Sequence, residues 1–390
     1  MKKRVLFWSV LALIVVVAIT VTWILIYNNT LRTVDNDYLY TLDGRWDGAK
    51  DFSENLAAVK KDGKWGYIDC DGNVIVKPMY SSANSFSEGL AAVQNDGKWG
   101  YIDKTGKLVI PFTLESTYAF SEGLAVYSKG NYYGYINTAG ETVIEAIYSE
   151  ASSFQDGIAC VKKDNRYGYI KQDGTAVTEF IYGSNTLANE GLIPVFYGDS
   201  TKGINTGYID VSGRQILDFN WYDAKHFSEG LAVACYKYTQ PYGFINNSGV
   251  FVIQPTWDSA EGFFCGCALV QKDLKYTYIN TSGETITDKT YEKAYSFTRS
   301  GLARVGYSSA TGWKFGYINT AGEEVIAPQY ADAHDFEIGI AAISNGKKWG
   351  FIRSDGTVLV NMKWTDVGDF TEDGIAMVKS GDIYGFVKLK

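Results

Sequence analysis

The stretch Phe86–Ala119, FSEGLAAVQNDGKWGYIDKTGKLVIPFTLESTYA, decides the fold, because Phe120 then begins the same pattern again. Its most regular feature is the aromatic-Gly-aromatic step at Trp99–Tyr101. Copies of this step are centred on Gly66, Gly100, Gly134, Gly168, Gly207, Gly243, Thr277 in place of glycine, Gly316, Gly350 and Gly385. Successive centres lie 34 to 39 residues apart, and 34 is the commonest interval. A fixed period in this range indicates a repeat architecture, so we predict ten structural units.

One unit contains three predicted strands. Leu90–Val93 is a short apolar run, and Asn95–Gly97 supplies residues that accept the positive φ of a hairpin turn. Trp99–Ile102 is the second strand, Asp103–Gly106 has the Asx-x-x-Gly pattern of a tight turn, and Leu108–Pro111 is the third strand. We therefore predict an antiparallel three-stranded meander. The returning connector has apolar residues at three-residue intervals, which predicts an irregular or helical turn.

The glycine of the step is predicted to admit a close neighbour. Trp99 and Tyr101 share one face of a strand, and Gly100 leaves room on the other face for a ring or a backbone segment. Thr277 breaks this rule, so we expect the seventh unit to be looser. We interpret the aromatic residues of the step as core. The predicted structural positions are Trp65, Gly66, Trp99, Gly100, Tyr133, Gly134, Tyr167, Gly168, Gly207, Gly243, Phe315, Gly316, Trp349, Gly350 and Gly385.

These units predict an all-β fold in residues 45–390. A single meander cannot bury a core, so neighbouring units must stack. The last unit ends after its second strand, and Tyr38–Leu42 aligns with the missing third strand, which would close a ring as in propellers. Ten units nevertheless exceed the usual number of about four to eight blades, and insertions interrupt the period. We therefore predict an open superhelical solenoid of ten repeats, with a closed propeller-like ring as the alternative.

The amino terminus has the pattern of a membrane anchor. Residues 5–27 carry no charge, and a helix of this length, at about 1.5 Å per residue, crosses about 30 Å of hydrocarbon. The alternative is a cleaved signal peptide, whose apolar segment usually runs only about 7–15 residues. The basic tail 1–4, with Lys2, Lys3 and Arg4, favours a cytoplasmic amino terminus. The sequence thus predicts a single-pass cell-membrane protein with one transmembrane helix, a linker at 28–44 that contains a capping strand, and an extracytoplasmic repeat domain.

Composition excludes two classes of protein. The chain is 46% hydrophobic and 15% aromatic, which excludes a disordered chain. Its net charge is -8, and without the basic tail 33 basic residues remain against 44 acidic ones. Nucleic acid, which needs clustered Lys and Arg, is therefore not an expected partner. Five cysteines at unequal spacing do not form a disulfide framework, and we interpret most of them as small apolar side chains.

The two recurring blocks resemble a known family. FSEGLA and KWGYID recur in fixed order, with KWGYI at Lys64–Ile68 and KWGFI at Lys348–Ile352. This pattern resembles the WG-repeat family of bacterial proteins over Trp46–Lys390. The resemblance implies a binding or scaffolding role and supplies no catalytic residues. A weaker likeness to cell-wall-binding repeats, whose aromatic hairpins hold ligands between them, suggests a glycan ligand.

Candidate catalytic and metal-binding residues are few. The two histidines, His226 and His334, occupy connector positions that other units fill with Ser, Asn or Lys, so we do not predict a catalytic role. Repeated carboxylates are more simply turn and cap residues; one position carries Glu54, Glu88, Glu122 and Glu229. Cys265-Gly266-Cys267 has no further Cys or His at ligand spacing. We therefore predict no catalytic residue, no cofactor and no metal.

Three hypotheses of function remain. The first is a membrane-anchored, non-catalytic module whose exposed aromatic residues bind cell-envelope glycan or protein. The second is an enzyme built in the irregular segments Asn185–Thr206 or Ser308–Trp313, where insertions depart from the period. The third is a passive spacer. The repeat explains most of its own residues, so ligand-binding residues must be sought where the copies differ.

Overall fold

The computed structural model describes residues 39–183, 186–199, 203–238 and 240–390. Every regular element in these ranges is a β-strand, so the chain is all-β there, as the repeat pattern predicts. The predicted transmembrane helix at 5–27, the basic tail 1–4 and the linker up to residue 38 lie outside the described residues. Within the described ranges, no helix is long and apolar enough to cross a membrane.

Ten antiparallel sheets, here called blades, follow one another along the chain after the first strand, β1 (Leu39–Trp46). Blades one to three contain β2 (Gly48–Ala49), β3 (Leu56–Lys61), β4 (Lys64–Asp69) and β5 (Val74–Tyr80); β6 (Ser82–Ala83), β7 (Leu90–Asn95), β8 (Lys98–Asp103) and β9 (Leu108–Leu114); and β10 (Ser116–Thr117), β11 (Leu124–Lys129), β12 (Tyr132–Asn137) and β13 (Thr142–Tyr148). Blades four to six contain β14 (Glu150–Ala151), β15 (Ile158–Lys163) and β16 (Arg166–Lys171); β17 (Leu192–Asp199), β18 (Gly203–Asp210) and β19 (Gln215–Trp221); and β20 (Asp223–Ser228), β21 (Leu231–Cys235), β22 (Tyr242–Asn246) and β23 (Phe251–Trp257). Blades seven to ten contain β24 (Ser259–Ala260), β25 (Cys267–Lys272) and β26 (Lys275–Asn280); β27 (Lys293–Ala294), β28 (Leu302–Ser309), β29 (Gly312–Asn319) and β30 (Glu324–Tyr330); β31 (Asp332–Ala333), β32 (Ile340–Ser344), β33 (Trp349–Arg353) and β34 (Val358–Trp364); and β35 (Asp366–Val367), β36 (Ile375–Ser380) and β37 (Ile383–Leu389).

Blade two shows how a regular unit folds. Its strands lie in the order β6, β7, β8 and β9, so a short extra strand precedes the predicted meander. The connector between β6 and β7 ends in a two-residue hairpin turn, because Ser87 and Leu90 exchange both backbone hydrogen bonds, at 2.9 and 3.1 Å. Glu88 and Gly89 have φ of 53° and 78°, as this type of turn requires. Of the two predicted alternatives, an irregular or a helical turn, the helical one is wrong, since the three-residue spacing arises from the short strand and the tight turn.

Side-chain size increases across each blade and fixes its orientation. In blade two, β6 and β7 bury Ala83 and Ala91, whereas β8 buries Tyr101 and Ile102 and β9 buries Ile110. Blades that radiate from one axis come closest together near that axis, where a close-packed interior has room only for small side chains. The short strand therefore lies nearest the axis, and the strand after the Asx-x-x-Gly turn lies at the rim.

The first and last strands of the chain close the ring. β1 pairs antiparallel with β37, with Thr41 opposite Val387, so the amino-terminal strand supplies the rim strand of blade ten. Blade ten also packs on blade one, where the rings of Phe52 and Phe386 are 5.0 Å apart. Lys388 Nζ lies 3.1 Å from Asp71 Oδ1. The prediction of an open superhelical solenoid is therefore wrong, and the chain is a closed ten-bladed β-propeller.

Hydrophobic clusters join successive blades around this ring. The cluster between blades one and two combines Leu56 and Tyr67 with Phe86. The cluster that closes the ring combines Val59 of blade one with Phe386 of blade ten. Because each blade buries both faces against neighbours, no blade needs a core of its own. Narrow, alanine-rich inner strands allow ten such wedges to surround one axis, which is why a blade number above the usual range does not prevent closure.

Blades four and seven have no regular rim strand. Their rim segments make only isolated bridges, such as that between Tyr276 and Tyr291. Both segments place threonine, Thr178 and Thr287, where seven other blades bury an aliphatic residue, namely Val76, Ile110, Ile144, Leu217, Ile253, Ile326 and Val360. The preceding residues, Val177 and Ile286, pack against the cores instead. The irregularity is local, because both ends of each segment keep the pairing of the regular blades, as in Tyr276 with Tyr291 and Ile279 with Thr285.

The missing glycine of blade seven does not explain its irregular rim segment. Thr277 lies in blade seven and donates from Oγ1 to Lys289 O at 3.2 Å. Blade four keeps Gly168 and has the same irregular rim. Loss of the glycine is therefore not the common cause, and the polar residue at the buried rim position explains both blades.

Candidate functional site

The strand register gives the propeller two distinct faces. In blade two, Leu90 is opposite Asp103 at one end of the sheet, and Asn95 is opposite Lys98 at the other. The turn face is the end that carries the turns at Ser87–Leu90 and Asp103–Gly106 and their equivalents. The hairpin face is the end that carries the tip between β7 and β8, at Asn95–Lys98, and the equivalent tips of the other blades.

On the turn face, hydrogen bonds run from each of several blades to the next, and we call this set of bonds the belt. Ser87 Oγ donates to Phe120 O of the next blade at 2.8 Å, and Gly123 N donates to Glu88 Oε2 at 2.9 Å. The same carboxylate-to-glycine bond links Glu54 to Gly89, Glu122 to Gly157, Glu190 to Gly230 and Glu229 to Gly266. The repeated glutamates thus join neighbouring blades. Sequence analysis interpreted them as local turn residues, because a bond between repeats leaves no mark within one repeat.

The Asx-x-x-Gly turns on the same face follow local turn chemistry. Asp103 Oδ1 accepts hydrogen bonds from the backbone N–H groups of Thr105 and Lys107, at 2.9 and 3.0 Å. The hydrogen bond from the Thr105 hydroxyl, with these backbone bonds, holds the pKa of the Asp103 carboxyl below its usual value. The Asp103 carboxylate therefore stabilises its own turn and remains ionised at neutral pH.

The predicted structural positions lie inside the blades. Trp65, Trp99 and Trp349 are half-buried against the clusters between blades. Tyr133 and Tyr167 pack in the same way, and Phe315 is fully buried. A Cβ atom at Gly66, Gly100, Gly134, Gly243, Gly316 or Gly350 would lie 2.3 to 2.5 Å from a carbonyl oxygen of the rim strand. At Gly168 and Gly207 it would meet a phenylalanine ring at 2.9 Å, and Gly385 pairs with Val378 in β36.

The second aromatic residue of the step also links blades. Tyr67 is fully buried, and its hydroxyl donates to Asn84 O of the next blade at 2.7 Å. Burial raises its pKa, so the phenol stays neutral. Tyr135 and Tyr278 donate in the same way to Ser152 O and Tyr295 O, both at 2.8 Å. The aromatic step therefore serves packing and blade-to-blade bonding.

His226 lies in β20 of blade six and His334 lies in the connector after β31 of blade nine, so the two histidines do not meet. His226 is half-buried in blade six, and burial lowers its pKa. His334 Nδ1 lies 2.8 Å from Asp369 Oδ1 of blade ten, and its ring centroid is 4.7 Å from that of Trp349. The hydrogen bond with Asp369 raises the pKa of His334. His334 therefore ties blade nine to blade ten.

A half-buried arginine makes the corresponding link between blades eight and nine. Arg304 Nε lies 3.2 Å from Asp335 Oδ1, and its guanidinium carbon is 3.8 Å from the ring centroid of Tyr295. Burial raises the pKa of Asp335, and the neighbouring Asp369 raises it further while Arg304 opposes the shift. These charged groups hold blades together at the axis.

The irregular segments predicted as insertions are extensions of hairpins. In Asn185–Thr206, β17 and β18 pair from Leu192 and Asp210 as far as Asp199 and Gly203, beyond the length of other blades. In Ser308–Trp313, β28 and β29 end in a tight turn where Ser309 is opposite Gly312. Both insertions therefore lengthen a hairpin on the hairpin face of one blade.

The hairpin face of blade six carries a group of exposed tyrosines. Tyr236 and Tyr238 lie in the tip between β21 and β22, and Tyr222 lies on the segment that enters the blade. Tyr238 is 78% exposed, and its ring lies 5.4 Å from that of Tyr222. Tyr236 is 50% exposed and packs its ring 5.1 Å from that of Phe251. We call Tyr222, Tyr236 and Tyr238 the tyrosine patch.

Sequence analysis missed the tyrosine patch, although its signal is present in the chain. Blades one and two place Lys-Asp-Gly-Lys and Asn-Asp-Gly-Lys at this tip, in Lys61–Lys64 and Asn95–Lys98. Blade six places Tyr-Lys-Tyr at residues 236–238 instead. The Tyr238 ring is 78% exposed and therefore contributes little to the core. The departure from the repeat was the usable signal.

These features define a ten-bladed β-propeller built from short repeats that are bonded to one another on one face. The model of the WG containing repeat matches residues 42–65, 65–99, 99–133, 133–167, 207–238, 242–276, 276–306, 315–349 and 349–382. The chain therefore belongs to the WG containing repeat family, as the sequence resemblance indicates. No curated protein matches the sequence.

Solved structures share the chain's outline only distantly. One is PorZ, an essential bacterial surface component of the type-IX secretion system of Porphyromonas gingivalis, at 10% identity and a TM-score of 0.28, covering 88% of this chain and 50% of that one. Another is the extracellular domain of the putative hybrid two-component system BT3049 from B. thetaiotaomicron, at 10% identity and a TM-score of 0.26, covering 86% and 55%. This chain thus spans about half the length of those structures. Likenesses at these scores carry no argument about its function.

Proposed function

We propose that this propeller is a membrane-anchored, extracytoplasmic, non-catalytic binding module that engages cell-envelope glycan or protein through its hairpin face. The observation that carries the proposal is the tyrosine patch. Its rings are exposed in a protein whose other repeated aromatic residues pack between blades. Tyrosine combines a large apolar ring with a hydroxyl at little entropic cost, and it is enriched at binding surfaces for this reason.

The contrast between the two faces supports this choice of surface. On the turn face, the carboxylates of Glu54, Glu88 and Glu122 accept hydrogen bonds from backbone N–H groups of the next blade. At the hairpin tip of blade six, Tyr238 contacts only the exposed neighbour Tyr222 among aromatic residues of the described chain. A side chain that does not hold the fold together is free to contact a partner.

The roles of the charged groups support a module without catalysis. His334 is bonded to Asp369 across a blade boundary. The repeated aspartates and glutamates accept backbone N–H groups in turns and between blades. His334 and these carboxylates thus have structural partners that a catalytic cycle would have to break.

The anchor and its orientation rest on the sequence of residues 1–27. The uncharged stretch 5–27 is long enough to span a bilayer, and Lys2, Lys3 and Arg4 favour the cytoplasmic side. Added protease digests an extracytoplasmic propeller in spheroplasts and leaves a cytoplasmic one intact. Intact propeller in protease-treated spheroplasts, with a periplasmic marker digested, contradicts the proposed orientation.

Co-sedimentation of the full chain with isolated cell-envelope material tests the binding function. We expect the wild-type chain to enter the pellet and the Tyr236→Ser/Tyr238→Ser double variant to stay in the supernatant. Val250→Ser is the matched control, because Val250 belongs to the same blade, is 60% exposed, and follows an Asx-x-x-Gly turn on the opposite face. Equal sedimentation of the double variant and the wild type rejects the tyrosine patch, and a wild-type chain that never sediments rejects the function.

A further inference from the structure

A groove of about 500 Å³ lies on the hairpin face between blades three and four. Blade three contributes Tyr132 and Ile147, and the hairpin tip of blade four contributes Lys163, Asp164 and Asn165. Its volume falls in the range of about 300–1,000 Å³ that small-molecule sites occupy. It is separate from the tyrosine patch on blade six.

The residues of this groove depart from the repeat. Tyr132 is the first residue of β12, where β4, β8 and β26 begin with Lys64, Lys98 and Lys275. Asn165 stands at the turn position where blades one and two have Gly63 and Gly97. The fold therefore requires neither the aromatic ring nor the amide. Tyr132 is 52% exposed, so its ring presents an apolar face to the groove.

Both walls of the groove are fixed before any ligand arrives. Gly130 N donates to Glu115 Oε2 at 2.8 Å, which holds the hairpin that carries Tyr132. On the other wall, Glu150 accepts hydrogen bonds from Lys162 Nζ at 2.7 Å and from Tyr167 OH at 2.6 Å. The bond from Lys162 lowers the pKa of Glu150, so this anchor is ionised at neutral pH. Fixed walls reduce the ordering cost of binding.

The chemistry of the two walls is complementary to a sugar ring. A pyranose presents a face of C–H groups, which packs on an aromatic ring, and hydroxyl groups around its edge that both donate and accept hydrogen bonds. Tyr132 and Ile147 supply the apolar floor. The carboxylate of Asp164 is able to accept hydrogen bonds from two sugar hydroxyls, and the amide of Asn165 is able both to donate and to accept them. The charges of Lys163 and Asp164 offset each other, which favours a neutral ligand.

We propose that this groove binds a neutral pyranose unit of a glycan. The inference rests on the proposed function and names the ligand class of one site on the hairpin face. It assigns the platform to Tyr132, hydrogen bonding of the sugar hydroxyls to Asp164 and Asn165, and a supporting apolar contact to Ile147.

Titration of the full chain with three neutral probes tests this site, namely cellotetraose, chitotetraose and maltotetraose, followed by calorimetry and saturation-transfer NMR. The test variants are Tyr132→Lys and Asn165→Gly, which install residues that other blades already carry at these positions. Neither change disturbs the hairpin, and glycine relieves the φ of 62° at Asn165. Lys98→Ala at the equivalent position of blade two is the matched control.

We expect at least one probe to bind the wild-type chain, with affinity about tenfold weaker in Tyr132→Lys and unchanged in Lys98→Ala. Saturation transfer should fall on the C–H protons of one sugar face. A probe that binds Tyr132→Lys as well as wild type overturns the inference. If no probe binds while the wild-type chain still sediments with envelope material, the pyranose site is wrong and the proposed function stands. If the chain also fails to sediment, both are wrong.

Discussion

The turn face and the hairpin face of this propeller are built from the same repeat and behave in opposite ways. On the turn face, glutamate, serine and glycine recur in most blades, and each blade donates to or accepts from the next. On the hairpin face, the tips vary from Lys-Asp-Gly-Lys in blade one to Tyr-Lys-Tyr in blade six. Residues that recur hold the ring together, and residues that vary are free to bind.

Gly66→Ala should give the largest effect on stability. The new Cβ would lie 2.3 Å from Val76 O and 2.6 Å from Pro78 N, both on the backbone of the rim strand, which cannot move without losing its core contacts. We expect a loss of about 3 kcal/mol in the free energy of unfolding, measured by chemical denaturation.

Gly97→Ala is the control for that substitution. Gly97 has a φ of 79°, but a Cβ there meets nothing within 4 Å, so only the backbone conformation opposes alanine. We expect a loss of about 1 kcal/mol. Equal losses at Gly66 and Gly97 would show that close approach of the rim strand is not the reason for the glycine in the aromatic step.

Glu88→Ala should remove one link of the belt on the turn face. Gly123 N, which now donates to Glu88 Oε2 at 2.9 Å, would then bond to water, because the turn is exposed. We expect a loss of about 1 kcal/mol in the free energy of unfolding. Asp96→Ala, at a hairpin tip, is the matched control for an exposed acidic residue with positive φ. A loss at Asp96 as large as at Glu88 would contradict a special role for the turn face.

The boundary between blades nine and ten should give a smaller effect that depends on pH. The bond to Asp369 raises the pKa of His334 above its value in the unfolded chain. Its stabilisation is therefore complete below about pH 6.5 and is lost as pH rises through the folded pKa. Arg304 and Asp332 also act on His334, with opposite signs.

We expect wild-type stability to fall by at most about 1 kcal/mol between pH 6 and 8, and His334→Gln to flatten that part of the profile. Asp335 acts in the same direction at lower pH, because its pKa is raised by burial and its folded form binds the proton more tightly. Thermal unfolding across this pH range measures the slope. A slope unchanged in His334→Gln would assign it to other groups.

The Tyr236→Ser/Tyr238→Ser double variant should have the smallest effect on stability, within about 0.5 kcal/mol, since exposed side chains away from the core contribute little. The same variant should have the largest effect on binding. A loss of more than about 2 kcal/mol in the free energy of unfolding would show that the tyrosine patch stabilises the fold and would contradict its role as a free binding surface. Urea denaturation beside the sedimentation assay separates the two.

The local repeat could be derived from the sequence because each turn and strand is encoded within 34 residues. Asn95–Gly97 and Asp103–Gly106 specify their turns by the φ values they accept. The irregular rim segments were also encoded, by Thr178 and Thr287, but only comparison with the other blades shows that an aliphatic residue belongs there.

Ring closure and the belt could not be derived in the same way. Both depend on contacts between repeats, such as that of Lys388 with Asp71 or of Glu88 with Gly123. One repeat does not record the angle at which the next one packs. That angle comes from the size difference between Ala83 near the axis and Tyr101 further out, which becomes visible only once the strand order is known. The tyrosine patch could not be read from the repeat, because its residues lie at a hairpin tip where blade six departs from the repeated pattern.

Zero-length carbodiimide cross-linking of the wild-type chain tests ring closure most directly. Lys388 Nζ and Asp71 Oδ1 are 3.1 Å apart although 317 residues separate them in sequence. Lys225 and Glu261, 2.8 Å apart in adjacent blades, provide the internal control. After isolation of the monomer and mass spectrometry, the closed propeller predicts an amide cross-link between Lys388 and Asp71 in proportion to the control. A monomer that contains the Lys225–Glu261 cross-link but lacks the Lys388–Asp71 cross-link would contradict the closed ring.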